Sequence, residues 1–437
     1  MVKVTKFGGS SLADATQFKK VASIIKADPA RRFVVPSAPG KRFKEDDKVT
    51  DLLYKCYALA CAGEDTSEVF AKITERYVSI KNELNLSTDI EAKIVKIKAD
   101  VEAGAGIDYI ASRGEFLNGL LLAEYLGFDF VDAAEVVVFT VNGVLDDNKT
   151  NTIMSKRLAK VKNAVVPGFY GSRPDGTIKT FSRGGSDITG SLVARAINAN
   201  IYENWTDVSG FMVADPRIVQ DAKPINWITY KELRELSYMG ASVLHQDAVF
   251  PVAQSGIPIN IRNTNAPDDD GTMIVSKIDA SHVHDSVITG IAGQKGYSII
   301  TIEKSMMNSE LGIGRRFLEI FEKNNILFEH LPSGIDTMSA VLKSKAVEGK
   351  LDIVLSSIQD ELNPDSIEVV HNIALLAVVG HRMAKNAGTA GKIFSALGKN
   401  NINVRTIDQG SSEINIIIGV DEASLEDAIR IIYDVFR

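Results

Sequence analysis

Apolar positions switch repeatedly between two periods along the N-terminal part of the chain. Val2-Lys3-Val4-Thr5-Lys6-Phe7 reads as a strand, and Phe18, Val21, Ile24 and Ile25 follow at helical spacing. The same alternation predicts strands over 2–7, 32–36, 128–132, 164–167, 201–206 and 258–262, with helices over 11–26, 49–61, 114–125 and 186–198. Strands separated by helices specify an α/β fold with a mostly parallel sheet covered on both faces. Residues 170–180 differ, because Asp175-Gly176 sits between two short β-prone runs and predicts a hairpin. After Arg262 the chain becomes turn-rich through Asn263-Thr264-Asn265-Ala266-Pro267 and Asp268-Asp269-Asp270-Gly271. A domain boundary is expected between 270 and 295.

The C-terminal third repeats itself. Lys323-Asn324-Asn325-Ile326 returns 76 residues later as Lys399-Asn400-Asn401-Ile402. At that offset Met307 pairs with Met383, Gly312 with Gly388, Gly334 with Gly410 and Val341 with Ile417. Glycines and apolar positions shared at one offset mark a duplicated unit. Each copy reads strand, glycine-bearing loop, helix, strand, strand, helix, with the second helix near 351–362 and at 425–436. That order describes a ferredoxin-like βαββαβ module, twice. The expected division is 1–280 for the α/β domain and 287–437 for the module pair. The modules cover about 296–370 and 371–437, with 287–295 available to complete the second.

Composition narrows the function classes. The 437-residue chain has a formal net charge of −7 and no long basic block, which argues against a nucleic-acid surface. Lys41-Arg42-Phe43-Lys44 is cancelled at once by Glu45, Asp46 and Asp47, so that stretch reads as a mobile loop. No apolar run approaches a membrane span. The N-terminus opens directly into a strand without a signal-peptide pattern, so a cytoplasmic protein is expected. Cys56 and Cys61 read as buried or half-buried helix residues in a reducing compartment. His282 and His284 lack Cys, Asp or Glu at ligand spacing, and the aspartates at 268–270 lack calcium-loop spacing. No metal site on the protein is expected from them.

The candidate chemistry lies at two glycine turns. Gly8-Gly9-Ser10-Ser11 ends the first strand and opens a helix, with Lys6 at the strand's end. In Arg183-Gly184-Gly185-Ser186-Asp187 two glycines break a strand. Ser186 and Asp187 then open a helix traced by Ile188, Leu192, Val193 and Ala196. Ser186 is placed to cap that helix, and a helix N-terminus behind a glycine turn attracts phosphate. Neither turn is a Walker loop, because no Gly-Lys-Ser/Thr follows. Ligands of open α/β sheets bind beyond the carboxyl ends of the strands, where both turns lie. One turn with Lys6 and one with Arg183 and Asp187 favour a polyphosphate site.

These turns resemble the aspartate kinases of monofunctional type. So do Ser112-Arg113-Gly114-Glu115, Thr206-Asp207-Val208-Ser209-Gly210, Ala214-Asp215-Pro216-Arg217 and Val243-Leu244-His245. That family has an amino-acid-kinase domain followed by paired ACT modules, and the resemblance covers nearly the whole chain. It implies that ATP, with Mg2+, phosphorylates the side-chain carboxylate of L-aspartate to 4-phospho-L-aspartate, toward lysine, threonine and methionine. The acceptor is already ionised at neutral pH, so the task is positioning and charge neutralisation. By resemblance Lys6 and Asp187 are catalytic, with Asp187 organising Lys6. Gly8, Gly9, Ser10, Gly184, Gly185 and Ser186 hold phosphates, and Thr206, Asp207 and Arg217 contact the nucleotide. Ser37, Thr50, Glu115 and Arg183 hold aspartate, Arg183 as a two-pronged partner of its α-carboxylate and Glu115 facing its ammonium. Thr50 also suits a helix N-cap, Glu115 a first helical turn and Phe169 a core. Magnesium is expected mainly on ATP oxygens.

Two positions depart from the family pattern. Met212 stands where many relatives have tyrosine and Ser242 where many have lysine, which implies altered nucleotide binding. The module pair resembles ACT pairs that bind an amino acid and mediate a homodimer or dimer of dimers. The effector loops would be 307–312, with Met307, Ser309 and Gly312, and 333–336, with Ser333, Gly334 and Asp336. His330-Leu331-Pro332-Ser333-Gly334-Ile335-Asp336 is similar to a segment of lysine-sensitive relatives, which implies lysine. The alternatives are a catalytically silent amino-acid sensor and a kinase of glutamate, acetylglutamate or UMP. Lys6, Arg183 and Asp187 stand against the first, and Ala-Asp-Pro-Arg with the module pair against the second.

Overall fold

The computed structural model describes residues 1–182, 184–241, 251–279, 281 and 286–437. They fall into two units, one of 1–211, 224–230 and 243–283, the other of 212–223, 231–242 and 284–437. The chain runs through β1 (Lys3–Phe7), α1 (Ala15–Ala27), β2 (Arg31–Pro36), α2 (Val49–Ala62), α3 (Ser67–Glu83), α4 (Ile90–Glu102) and α5 (Ile107–Leu126). It continues with β3 (Asp129–Phe130), α6 (Ala133–Val136), α7 (Asp147–Leu158), β4 (Ala164–Val165), β5 (Tyr170–Ser172), β6 (Ile178–Thr180), α8 (Gly185–Ala196) and β7 (Ile201–Thr206). Then come β8 (Phe211–Met212), β9 (Pro224–Ile225), β10 (Trp227–Thr229), α9 (Tyr230–Tyr238), β11 (Ile259–Asn263) and β12 (Thr272–Val275).

The main sheet of the first unit has the order β10-β12-β11-β7-β1-β2-β4-β3. Neighbours are parallel except β11 with β12. Strand β1 lies in the middle and is buried from Val4 to Phe7, as a strand covered on both faces must be. Its helices close on one core that includes Phe7, Phe18, Val21, Leu53, Ile73, Tyr77, Leu121 and Trp205. Each such side chain contributes about 1.5–3 kcal/mol by leaving water. The expected hairpin forms as β5 and β6, with Gly176 in the left-handed region.

Two expectations for this unit are corrected. Residues 41–47 are not a loose charged loop throughout: Asp46 is buried and lies 2.6 Å from the equally buried Arg76 of α3. A count of opposite charges along the chain does not reveal a partner on a distant helix. Cys56 is buried, but Cys61 is exposed, and both are free thiols.

The second unit carries β13 (Gly290–Glu303), β14 (Phe328–His330), β15 (Thr337–Lys343), β16 (Ser366–Val379), β17 (Val404–Asp408) and β18 (Asn415–Asp421). They form one sheet in the order β14-β15-β13-β16-β18-β17. Residues 297–303 of β13 pair with β15, and residues 290–294 pair with 375–379 of β16. The two modules therefore share two long strands. Gly312 and Gly388, at φ 80° and 86°, start the matched helices Ile313–Lys323 and Thr389–Lys399. Asn325 and Asn401 follow those helices at φ 53° and 56°, a left-handed exit that asparagine tolerates, which accounts for the repeated Asn-Asn. Among the described residues no helix is long and apolar enough to cross a membrane.

Candidate active site

Parallel register brings polar residues of adjacent strands together at the sheet's centre. Lys6 of β1 stands beside Asn204 of β7. The Lys6 Nζ lies 2.6 Å from Asp187 Oδ1, and Asn204 Nδ2 donates to the same oxygen at 2.9 Å. The Tyr202 hydroxyl donates to the Asp187 carbonyl at 3.1 Å. Lys6 and Asn204 are buried, so this cation–carboxylate pair is held on a rigid strand with little freedom.

Both glycine turns meet this pair. In the first, the Gly8 N–H donates to the Trp205 carbonyl at 3.1 Å, so it is committed and unavailable to a phosphate. The Gly9 carbonyl accepts the Gly40 N–H at 2.8 Å. Because a peptide is planar, the Ser10 N–H points away from Gly40. Among the described residues the amides of Gly9 and Ser10 have no acceptor. In the second turn Gly184, at φ 58°, is the N-cap and α8 opens at Gly185. Ser186 therefore lies inside the helix and does not cap it. A Cβ on Gly185 would lie 2.6 Å from the Phe169 ring, which is half-buried at φ 81° rather than in the core. The amides of Gly185, Ser186 and Asp187 have no acceptor among the described residues, and the helix dipole adds positive potential there. Arg183 lies outside the described residues, as do Ser242, Val243, Leu244, His245, His282 and His284.

Beside these turns the end of β2 meets α5. The Ser37 N–H donates to the Phe7 carbonyl at 3.1 Å. Glu115 sits in the middle of α5, not in a first turn, and is 5% exposed. Burial pushes its carboxyl up to about 8, against a backbone hydrogen bond from Ala38 and the Arg113 charge. Its Oε2 has no hydrogen-bond partner among the described residues. Thr50 is the second residue of α2, whose N-cap is Lys48, so its hydroxyl is not spent on capping.

Thr206 ends β7 and its hydroxyl donates to the carboxylate of the next residue, Asp207, at 3.2 Å. Arg217, exposed and paired with Asp215 at 2.6 Å, belongs with Met212 to the second unit. Among the described residues no three His, Cys, Asp or Glu side chains gather to hold a metal. The groups present, one lysine–aspartate pair and two sets of uncommitted amides, fit a polyanion that brings its own counter-cation.

In the second unit the loops 307–312 and 333–336 adjoin. Asp336 Oδ1 accepts the Met307 N–H at 3.3 Å, and its carbonyl accepts the Lys304 N–H at 2.8 Å. The Met307 side chain is buried in the module's core, leaving only its backbone at the loop. The Gly334 N–H closes a tight turn onto the Thr337 carbonyl at 2.8 Å, and Ser309 and Ser333 are exposed.

The sequence profile of the Amino acid kinase family matches residues 1–263, and that of the ACT domain matches residues 376–436. The chain is 39% identical to Aspartokinase 3 of Bacillus subtilis (strain 168), covering 100% of this chain and 98% of that protein. It is 52% identical to Clostridium acetobutylicum aspartate kinase, whose crystal structure it matches with a TM-score of 0.90 over 100% of both chains. It is 25% identical to E. coli aspartokinase III over 100% of this chain and 99% of that one. The TM-score is 0.77 to that enzyme's complex with aspartate and ADP (R-state) and 0.73 to its complex with lysine and aspartate (T-state).

Proposed function

The chain belongs to the amino acid kinase family, as an aspartate kinase with an ACT region, and on that premise we propose how its residues divide the reaction. Lys6 neutralises charge on the phosphoryl group passing from ATP to the side-chain carboxylate of L-aspartate. The carrying observation is the Lys6–Asp187 pair, with Lys6 buried and Asp187 half-buried, 2.6 Å apart where both glycine turns converge. Asp187 and Asn204 hold the Lys6 ammonium in place. The uncommitted amides of Gly9, Ser10, Gly185 and Ser186 donate to phosphate oxygens without rearranging. Thr206, Asp207 and Arg217 contact the nucleotide. Magnesium, carried mainly on ATP oxygens, supplies further charge neutralisation. Ser37, Thr50, Glu115 and Arg183 hold aspartate.

An amino acid, lysine first, binds the loops 307–312 and 333–336 and favours the less active arrangement. The lysine complex of E. coli aspartokinase III supports this choice. The ACT modules join protomers into a homodimer or dimer of dimers, and the product, 4-phospho-L-aspartate, leads toward lysine, threonine and methionine.

The test is hydroxylamine trapping of the acyl phosphate with Mg-ATP and L-aspartate, with and without L-lysine. Aspartate-dependent hydroxamate that lysine suppresses is expected. No hydroxamate from folded protein overturns the reading, and hydroxamate indifferent to lysine removes lysine as effector. In the same assay Asp336→Ala should raise the lysine concentration for half-inhibition at least ~10-fold at unchanged basal rate, as loss of a charged hydrogen bond predicts. Unchanged inhibition would remove the 333–336 loop.

Glu115 gives aspartate binding a pH signature. Its carboxyl, held at about 8 by burial, is mostly protonated at neutral pH, whereas an ammonium beside it favours the carboxylate. Aspartate binding should therefore release a proton, and affinity should fall about tenfold per unit as pH drops below that value. Stability of the unliganded protein runs the other way. The raised carboxyl's contribution is complete below its ordinary 4.5 and is lost as pH rises through about 8. Calorimetry in buffers of different ionisation enthalpy reads the proton directly. A wild type that releases none would exclude Glu115 as the ammonium's partner.

A further inference from the structure

Glu115 is not the one open acceptor on α5. One helical turn further, Asn118 is fully buried, with Nδ2 donating to the Ser37 carbonyl at 2.6 Å. Its Oδ1 has no hydrogen-bond partner among the described residues. A carbonyl only accepts, so the amide nitrogen must face Ser37 and the oxygen is the free end. Residues three apart share a helix face. Both reach the same peptide: Asn118 engages the carbonyl of Ser37, and Glu115 the N–H of Ala38. Buried polar atoms are satisfied as a rule. Two open acceptors on one face, beside one peptide, call for a compact donor with several N–H groups. An ammonium has three, and its charge answers Glu115.

We propose that Asn118 Oδ1 and Glu115 Oε2 together seat the α-ammonium of the amino-acid substrate, so that Asn118 sets the preference for an amino acid over a plain dicarboxylate. This rests on the reading of Glu115 above and extends it to a second residue. An uncharged acceptor suits position 118. It adds a hydrogen bond without another anion where a substrate with two carboxylates must enter, and it avoids the proton sharing of paired carboxylates.

The test compares the affinity of the full-length chain for L-aspartate with that for succinate, which lacks the ammonium. Asn118→Ala should weaken aspartate by roughly 10- to 100-fold and succinate by less than about threefold, with KM for ATP unchanged. Equal loss of both ligands would mean that Asn118 only braces the Ser37–Ala38 peptide, and would overturn the proposal. Asn118→Asp keeps an acceptor but surrenders the donor to Ser37. Its discrimination should be no less than about a third of wild type, because the added anion attracts the ammonium and repels succinate, and a collapse there overturns the proposal even where the alanine variant fails to fold. Glu115→Gln separates the two claims. If it loses discrimination while Asn118→Ala retains it, the Asn118 seat alone fails; if neither variant changes discrimination, the role of Glu115 fails with it.

Discussion

Lys6→Ala should lower kcat by at least ~10³-fold while changing the affinity for L-aspartate by less than about threefold, as expected for removing a preorganised charge that acts on the transition state. The reason is local. Lys6 ends a strand buried on both faces, and its ammonium is fixed by Asp187 at 2.6 Å. A rigid charge costs no reorganisation when negative charge migrates. Its loss also leaves Asp187 Oδ1 with the Asn204 amide as its donor among the described residues. The groups proposed to hold aspartate, Ser37, Thr50 and Glu115, lie on other elements, so their hold should persist without Lys6. ADP release at saturating substrates, with equilibrium binding of aspartate, separates the two effects. A loss of kcat below tenfold would remove Lys6 from the transition state.

The placing of Lys6 and Asp187 at glycine turns was legible because such turns after short strands leave a plain mark, and strand β7 was legible to the residue because β-prone Ile201, Tyr202, Trp205 and Thr206 bracket its two polar residues. Helix α5 was read as starting near 114 but starts at Ile107. The polar Ser112 and Arg113 interrupt its apolar period, yet both are buried, with the Arg113 guanidinium stacked 4.6 Å from the Tyr109 ring and 4.5 Å from that of Phe116. That misplaced start also put Glu115 in a first turn. Commitment of the Gly8 amide to Trp205 depends on cross-strand register, which no local pattern carries. Asn118, Asn204 and Arg76 find their partners 81, 17 and 30 residues away, so their burial could not be anticipated from neighbours. A signal did exist for Asn204: Glu203-Asn204 places two polar residues inside a central parallel strand, where an apolar run is the rule.

Arg76→Leu should have the second large effect, although Arg76 touches neither glycine turn. Its guanidinium donates to Asp46 Oδ2 at 2.6 Å, to the Gly40 carbonyl at 2.7 Å and to the Asp47 carbonyl at 3.3 Å. Gly40 in turn donates its N–H to Gly9, and a Cβ at Gly40 would lie 2.7 Å from the Gly9 carbonyl carbon. Arg76 thus braces the segment that orients the first turn. Burial pushes the Asp46 carboxyl up, but hydrogen bonds from Arg42 and the Arg76 charge bring it to about 2. Its stabilisation is therefore complete above the ordinary 3.8 and is lost as pH falls through about 2. Leucine at 76 leaves the Gly40 and Asp47 carbonyls without this donor and the buried Asp46 carboxylate with Arg42 as its one remaining cationic partner among the described residues. Breaking a buried pair costs about 3–5 kcal/mol, which should lower Tm by roughly 5–15 °C. KM for ATP should rise about tenfold, the scale of one lost hydrogen-bonded support. Replacing Asp46 by leucine as well removes the stranded charge and should recover much of the stability. It should not recover KM for ATP, because the Gly40 carbonyl still lacks its donor. Thermal unfolding with ATP kinetics on both variants decides the matter. If the double variant restores KM together with Tm, the first turn is held by overall stability and not by Arg76.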